Sequence, residues 1–453
     1  MKHKLLPGLW LLLSVLGVGC RKDFLDVKPS KALLVPATLG DFRALLDNLN
    51  VFNLSPGLPG IADGDFYTTG AGWVSYQSNG ERNSYTWAKD IFGQEPSADW
   101  NIPYQQVFYA NVVLDGLAGA DTASAEYRAV RGTALFARGT AFFNLAQEFC
   151  ADYGAGPGAL GLPLRLSADV TLRVGRSGLQ ETYAQVMADL RGAAALLPLS
   201  VAYKSRPSRA AAFGMLARVY LAMADYARAG AYADSCLRLQ GALLDYSTLS
   251  LTARRPFPRA LPDGNDEVIW YCGAVPYSFN QSSSPTYADS VLYAAYGDGD
   301  LRKGLFFSAK PEGGVGFKGN YSGVLTLFSG LAADELYLVR AECRVRTGDV
   351  AGGMADLNTL LARRYAPGAF TPLSAVDGDT ALGLVLRERR KELIDRGTRW
   401  GDLKRLNGEA AFRVVLERRL NGQVYRLEPG SPDYVYPIPA EEIDRSAIPQ
   451  NAR

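Results

Sequence analysis

The sequence predicts a mainly α protein in which helix pairs are interrupted by long irregular segments and a few short strands. Three observations predict it. Apolar residues recur at helical spacing from Trp100 onward, two distant stretches share one helix-turn-helix pattern, and two long stretches lack any period while being rich in Gly, Pro, Ser and aromatic residues. A composition of 48% hydrophobic and 21% charged residues is that of a folded chain.

The first twenty residues read as an export leader. Lys2 and Lys4 form a positive start, Leu5 to Leu16 is leucine-dominated, and small residues Gly17, Val18 and Gly19 precede Cys20. The apolar run from Leu5 to Gly19 is fifteen residues, short of the roughly 20 a spanning helix needs. The pattern is that of a bacterial lipobox, with Leu16 one step earlier than usual and Gly17 in its place. Thioether diacylation of Cys20 with N-acylation supplies several chains at roughly 0.8 kcal/mol per buried methylene, enough for stable anchoring.

Removing residues 1–19 takes His3, the only histidine, so the mature chain has no His general base, no Ser-His-Asp system and no His-containing zinc site. Loss of Lys2 and Lys4 leaves 46 Lys and Arg against 46 Asp and Glu. A neutral chain has no overall electrostatic case for nucleic acid. Cys150, Cys236, Cys272 and Cys343 show no CxxC spacing, and buried thiols are favoured over disulfides.

Tyr104, Val107, Phe108, Asn111 and Leu114 share one helical stripe, and a second helix spans about 127–149 with Leu135, Phe142, Leu145 and Phe149 inward. A Gly/Pro-rich loop from Gly154 to Pro163 breaks the pattern. A helix then runs from about Glu181 until Pro198 ends it. Phe213 to Leu237 matches a tetratricopeptide-type pair, with Phe213, Leu216, Ala217 and Tyr220 on the first helix, Asp225 and Tyr226 at the turn, and Ala229 and Ala233 on the second. Tyr337, Ala341, Gly348, Asp349, Gly353 and Leu357 repeat it, with the same eight residues from alanine to turn aspartate. The copies lie 124 residues apart, so a helix-pair bundle with long insertions is expected rather than a regular solenoid. The insertions at 53–94 and 243–330 lose the period, and long irregular segments on a rigid scaffold usually carry function. Short strands are expected near Val268 to Tyr271 and Val424 to Leu427.

Four separated pieces carry a resemblance. Cys20 is followed by Lys22, Asp23, Phe24, Leu25, Asp26 and Pro29, and Trp100, Tyr104 and Asn111 mark a first helix. Glu388, Arg389, Glu392, Leu393, Gly397, Arg399, Trp400, Asp402 and Leu403 form a C-terminal signature, and the chain closes on Tyr436-Pro437-Ile438-Pro439, Glu442-Ile443 and Gln450-Asn451. In this order they resemble the SusD/RagB outer-membrane lipoproteins of Bacteroidetes nutrient-uptake systems. One departure is that Arg396 stands before the signature glycine where an acidic residue is usual, with Asp395 one place earlier.

The resemblance implies tetratricopeptide-like helix pairs forming an α/α superhelical scaffold. It also implies lipid anchoring at the outer membrane facing the exterior, a SusC-like TonB-dependent transporter as partner, and binding of an oligosaccharide or peptide without turnover. The expected organisation is a leader at 1–19, a helical region at 20–240, and a region at 241–453 that bears ligand or partner loops and packs with it as one unit. A protein-binding scaffold of helix pairs is the alternative.

A glycosidase reading of Glu388, Glu392 and Asp402 is rejected, since Glu388 and Glu392 are i,i+4 neighbours on one helix and pair with nearby Arg or Lys. The ligand site is expected at Tyr67, Trp73 and Tyr76 in a Gly/Ser-rich loop, where aromatic faces cover sugar C–H surfaces while Asp65, Asn79 and Arg82 reach hydroxyls. Trp87 and Trp100 read as core. A second cluster, Tyr277, Phe279, Asn280, Gln281, Tyr287, Tyr293 and Tyr296, either completes that site or faces the transporter. No cofactor is implied; the Asp63/Asp65 and Asp298/Asp300 pairs leave calcium open, with no full oxygen-ligand loop in the sequence.

The leader makes one prediction. Cys20→Ser moves the protein from the membrane to the soluble fraction, and a variant still sedimenting with membranes would rule out the anchor.

Overall fold

The computed structural model describes residues 36–261, 264–280 and 285–453. The leader, Cys20 and Gln281 lie outside the described residues. The scaffold is a succession of helices, Ala98–Gly116, Ala125–Phe149, Leu179–Leu196, Arg209–Ala222, Tyr226–Leu239, Ala333–Arg346, Val350–Leu361 and Gly378–Glu392, each packed on the next in the series. The Tyr226–Leu239 helix packs against Ala333–Arg346. The two helix pairs seen in the sequence are therefore neighbours in space, and the long insertion between them is looped out of the stack. The fold is the mainly helical one expected.

Local chemistry explains the pairs. The turn aspartates Asp225 and Asp349 are N-caps, accepting from the backbone N–H of Arg228 and Gly352, and Ser124 and Ser208 cap two other long helices. Each such cap is worth about 1 kcal/mol. Small residues let the helices approach, with Ala217, Ala229 and Ala233 fully buried. At Gly353 a Cβ would lie 2.5 Å from Val345 Cγ2 and 2.8 Å from the Ala341 carbonyl oxygen. Tyr220 and Tyr232 stack across the first pair at 5.5 Å.

Trp87 and Trp100 are core residues. Trp87 is buried and donates from Nε1 to the Ala62 carbonyl, while Trp100 packs on Tyr104 and Phe149. Cys150, Cys236, Cys272 and Cys343 are buried free thiols, and burial pushes each thiol up, to about 11 for Cys150 and about 12 for the other three. The closing motif folds back on the scaffold. The Asn451 side chain donates to the carbonyls of Phe149 and Tyr436, and Gln450 exchanges two hydrogen bonds with the Ile438 backbone.

The stretch at 53–94 differs from the irregular loop expected. It holds short helices Pro59–Ala62, Gly70–Ser75 and Asn79–Tyr85, the last two capped by Thr69 and Ser78. Strands at Val268–Trp270 and Gln423–Leu427 fall where expected, the latter in a hairpin with Leu416–Leu420. Two further strand pairs join the insertions to each other. Leu54–Ser55 runs parallel to Gly273–Ala274, and Phe66–Thr68 pairs antiparallel with Thr286–Ala288.

Gly353→Val overpacks the second helix pair against a backbone carbonyl that cannot rotate away. A loss of about 1–3 kcal/mol in urea unfolding is expected, and an unchanged midpoint would contradict the close approach.

Candidate ligand site

The strand pair Phe66–Thr68 and Thr286–Ala288 sets the site. Its register places Tyr67 opposite Tyr287, and alternation along a strand puts both rings on one face. They stack at 5.3 Å with planes 24° apart. Tyr67 is 41% exposed and Tyr287 only 7%, so Tyr67 offers the outer surface. The Phe307–Ala309 and Val315–Phe317 hairpin supports the pair from beneath. Glu312 accepts from the Tyr287 hydroxyl at 3.1 Å, Lys310 Nζ lies 4.7 Å from the Tyr287 ring centre, and Gly314 has φ +74, with a Cβ there 2.9 Å from the Tyr287 ring. Phe66, on the opposite face, packs on Phe317 in the core.

Next to this hairpin runs a groove of about 840 Å3, lined by residues between Thr252 and Leu327, among them Arg254, Arg255, Tyr277, Asn280, Lys310 and Lys318. Its volume falls in the range of small-molecule sites. A smaller cavity of about 90 Å3, walled by Arg389 and Trp400 of the signature region and by Glu148 of the Ala125–Phe149 helix, has room for a few waters but not a sugar chain. The Tyr277 hydroxyl donates to Asp99 Oδ1 at 2.8 Å, leaving its ring as the groove wall. Asp99 also accepts from the backbone N–H of Gly57 and Leu58, and burial still pushes its carboxyl up to about 6.

Other expected site residues serve the frame. Asp65 is buried and accepts from Arg390 Nε at 2.8 Å. Tyr76 is 2% exposed, its ring against Phe279 and its hydroxyl on Thr286 Oγ1 at 2.8 Å. Stacking on a ligand is thus closed to Tyr76, and hydroxyl reading to Asp65. Trp73 lies on the Gly70–Ser75 helix rather than in a loop, half-buried, and donates from Nε1 to the Arg82 carbonyl. Arg82 donates to Asn79 Oδ1 at 2.8 Å and to the Tyr76 carbonyl, so these residues brace two short helices. Phe279 and Tyr296 are core, and Tyr293 is half-buried. The structure brings Tyr67 and Tyr287 together and sets Tyr277 on the adjoining groove. Sequence reasoning missed Arg254, Arg255, Lys310 and Lys318. The signal was an Arg-Arg pair with no acidic residue from Leu249 to Leu261.

The signature carboxylates are ion-paired. Glu388 accepts from Arg302 at 2.7 Å and Lys391 at 2.9 Å, Glu392 from Arg302 and Arg364, and Asp402 from Arg389 and Arg405. Burial opposes ionisation of Glu388, but Arg302 and then Lys391 outweigh it and hold the carboxyl below its ordinary value. That is the reverse of what a general acid needs. Glu267, Asp334 and Glu392 come within 4.8 Å of one another, but Arg364, Arg396 and Arg302 already donate into them. A cation there would compete with three buried guanidinium groups.

A helix-pair scaffold with two mated insertions, an exposed tyrosine backed by a buried one and an adjoining groove with basic side chains in its lining is the architecture of a binding protein. The family model described as starch-binding, associating with the outer membrane, matches residues 23–221, and the SusD family model matches residues 334–451. The chain belongs to the SusD/RagB family. Solved structures share the fold over nearly the whole length. A SusD-like carbohydrate-binding protein from Bacteroides vulgatus is 20% identical, with TM-score 0.72, covering 91% of this chain and 97% of its own. A SusD superfamily protein from Bacteroides thetaiotaomicron is 20% identical, with TM-score 0.71 and coverage of 92% and 100%. Surface glycan-binding protein A from Bacteroides uniformis is 18% identical, with TM-score 0.70 and coverage of 91% and 99%. Comparison with curated protein sequences returns no match.

Asp395, which accepts from Asn280 at 3.2 Å beside the groove, has φ +57. Burial, and then the Asp65 charge, push its carboxyl up to about 7. A carboxyl raised above its unfolded value of about 3.9 favours folding fully below that value and withdraws the contribution as pH climbs through 7. Asn keeps the acceptor, tolerates the left-handed backbone and cannot ionise. Asp395→Asn is therefore expected to raise the melting temperature more at pH 8 than at pH 5; equal shifts at both would deny the raised carboxyl.

Proposed function

We propose that this protein is a surface lipoprotein, anchored through Cys20 in the outer membrane, that captures a nutrient oligosaccharide and delivers it to a SusC-like TonB-dependent transporter without chemically altering it. Family membership over both ends of the chain supports the class. The observation that carries the glycan reading is Tyr67, an exposed ring stacked on the buried Tyr287, which Lys310 links to a groove of about 840 Å3. A flat ring backed by a second ring is rigid, so little side-chain freedom is lost when a sugar face settles on it.

The groove walls fall between residues 221 and 334, the stretch that neither family model matches. That division fits a shared scaffold carrying its own ligand surface. Trp73, Asn79 and Arg82 act in this reading as supports for the tyrosine platform, and Tyr277 as a groove wall.

Tyr67→Ala is expected to weaken glycan retention about two- to tenfold in affinity electrophoresis, the range of an aromatic contact worth about 0.5–1.5 kcal/mol, with the helical circular dichroism unchanged. Retention equal to wild type removes the platform. Release of shortened sugars from a bound glycan would end the non-enzymatic reading.

A further inference from the structure

We propose that the groove selects negatively charged glycans, chains bearing uronate carboxylates or sulfate esters, over neutral ones. This rests on the reading above that the groove takes a glycan. Four cations, Arg254, Arg255, Lys310 and Lys318, stand among its lining residues, and among the described residues no Asp or Glu does. The imbalance is local, because the chain after Cys20 carries equal numbers of acidic and basic residues. A cleft lined by one sign of charge concentrates ligands of the other.

The cations differ in what already balances them. Arg254 and Arg255 are exposed and enter no ion pair among the described residues. Lys318 Nζ donates to the carbonyls of Leu251 at 2.6 Å and Ala253 at 3.3 Å. That contact holds the loop bearing the two arginines against the hairpin and leaves the ammonium charge without a carboxylate. Burial pulls the Lys318 and Lys310 ammonium groups below their ordinary value, and at Lys310 the Glu312 charge opposes that shift. Two acids close by have other hydrogen-bond partners, Glu312 the Tyr287 hydroxyl and Asp395 the Asn280 side chain. Lys310 spans both features, lining the groove while lying over Tyr287. A sugar on Tyr67 and an acid group in the groove would thus be parts of one ligand. This pairing of ring and cation favours a charged glycan over an acidic peptide, which needs no stacking surface.

The test uses the whole mature protein in affinity electrophoresis with matched pairs that share a backbone and differ in charge, polygalacturonate against its methyl ester and dextran sulfate against dextran. Stronger retention by a charged member, falling as salt is raised, is expected. The charged pair that is retained identifies uronate or sulfate as the group read. Arg254→Ala with Arg255→Ala is expected to weaken that retention about fivefold to tenfold, two exposed charge contacts at the usual strength, with circular dichroism unchanged. Equal retention of both members of each pair overturns the charge selection and leaves the tyrosine platform intact. Charged retention indifferent to the double substitution also overturns it. Retention of no member of either pair, with none of a wider neutral panel, overturns the glycan reading itself. Oligoglutamate held as strongly as polygalacturonate overturns the choice of glycan over peptide.

Discussion

Arg302 and Arg364 are the charges on which the arrangement depends. Both are fully buried, and they share Glu392, one carboxylate oxygen each. Arg302 also binds Asp300 and Glu388, and Arg364 binds Glu267 and the Leu244 carbonyl. Glu388 and Glu392 belong to the Gly378–Glu392 helix, whereas Glu267, Asp300 and Arg302 belong to the insertion that bears the groove. The network therefore ties the groove segment to the signature helix. Removing one partner from such a network costs about 3–5 kcal/mol, while the intact set gains little over apolar packing of the same volume. What it supplies is position: a long, weakly structured insertion has one place to dock.

The same signature reaches the other insertion through Arg390, which binds Asp65 next to the Phe66–Thr68 strand. Arg396, the residue that departs from the family pattern, pairs with Asp334 at 3.0 Å and lies over the rings of Tyr321 and Phe328. The acidic side chain displaced to Asp395 turns instead toward Asn280. The two adjacent positions thus send a cation to the scaffold and a carboxyl to the groove edge.

Much of the scaffold was legible because its signals are local. Helices of 14 to 25 residues repeat their apolar period several times, and Asp225 and Asp349 announce the turns by the same chemistry that caps them. The site was legible only in part. The helices at 59–62, 70–75 and 79–85 are four to seven residues long, too short for a period to show, so Trp73 reads as a loop residue, and nothing local marks Tyr76, just past its helix, as buried. Tyr67 and Tyr287 were each singled out, but their stacking depends on a strand pair whose members are more than two hundred positions apart, and register at that distance leaves no trace in either segment. The basic lining was hidden by a balanced overall charge.

The mating of the two insertions has a thermodynamic corollary. Phe66–Thr68 and Thr286–Ala288 are joined over three residues only, and a guest that touches Tyr67 and the groove together can do so only while that junction is closed. Such a guest adds its own binding free energy to the closed form, by RT ln(1 + [L]/Kd). Cargo is then a cross-brace, and the loaded protein resists heat better than the empty one in proportion to how well the cargo spans both sides.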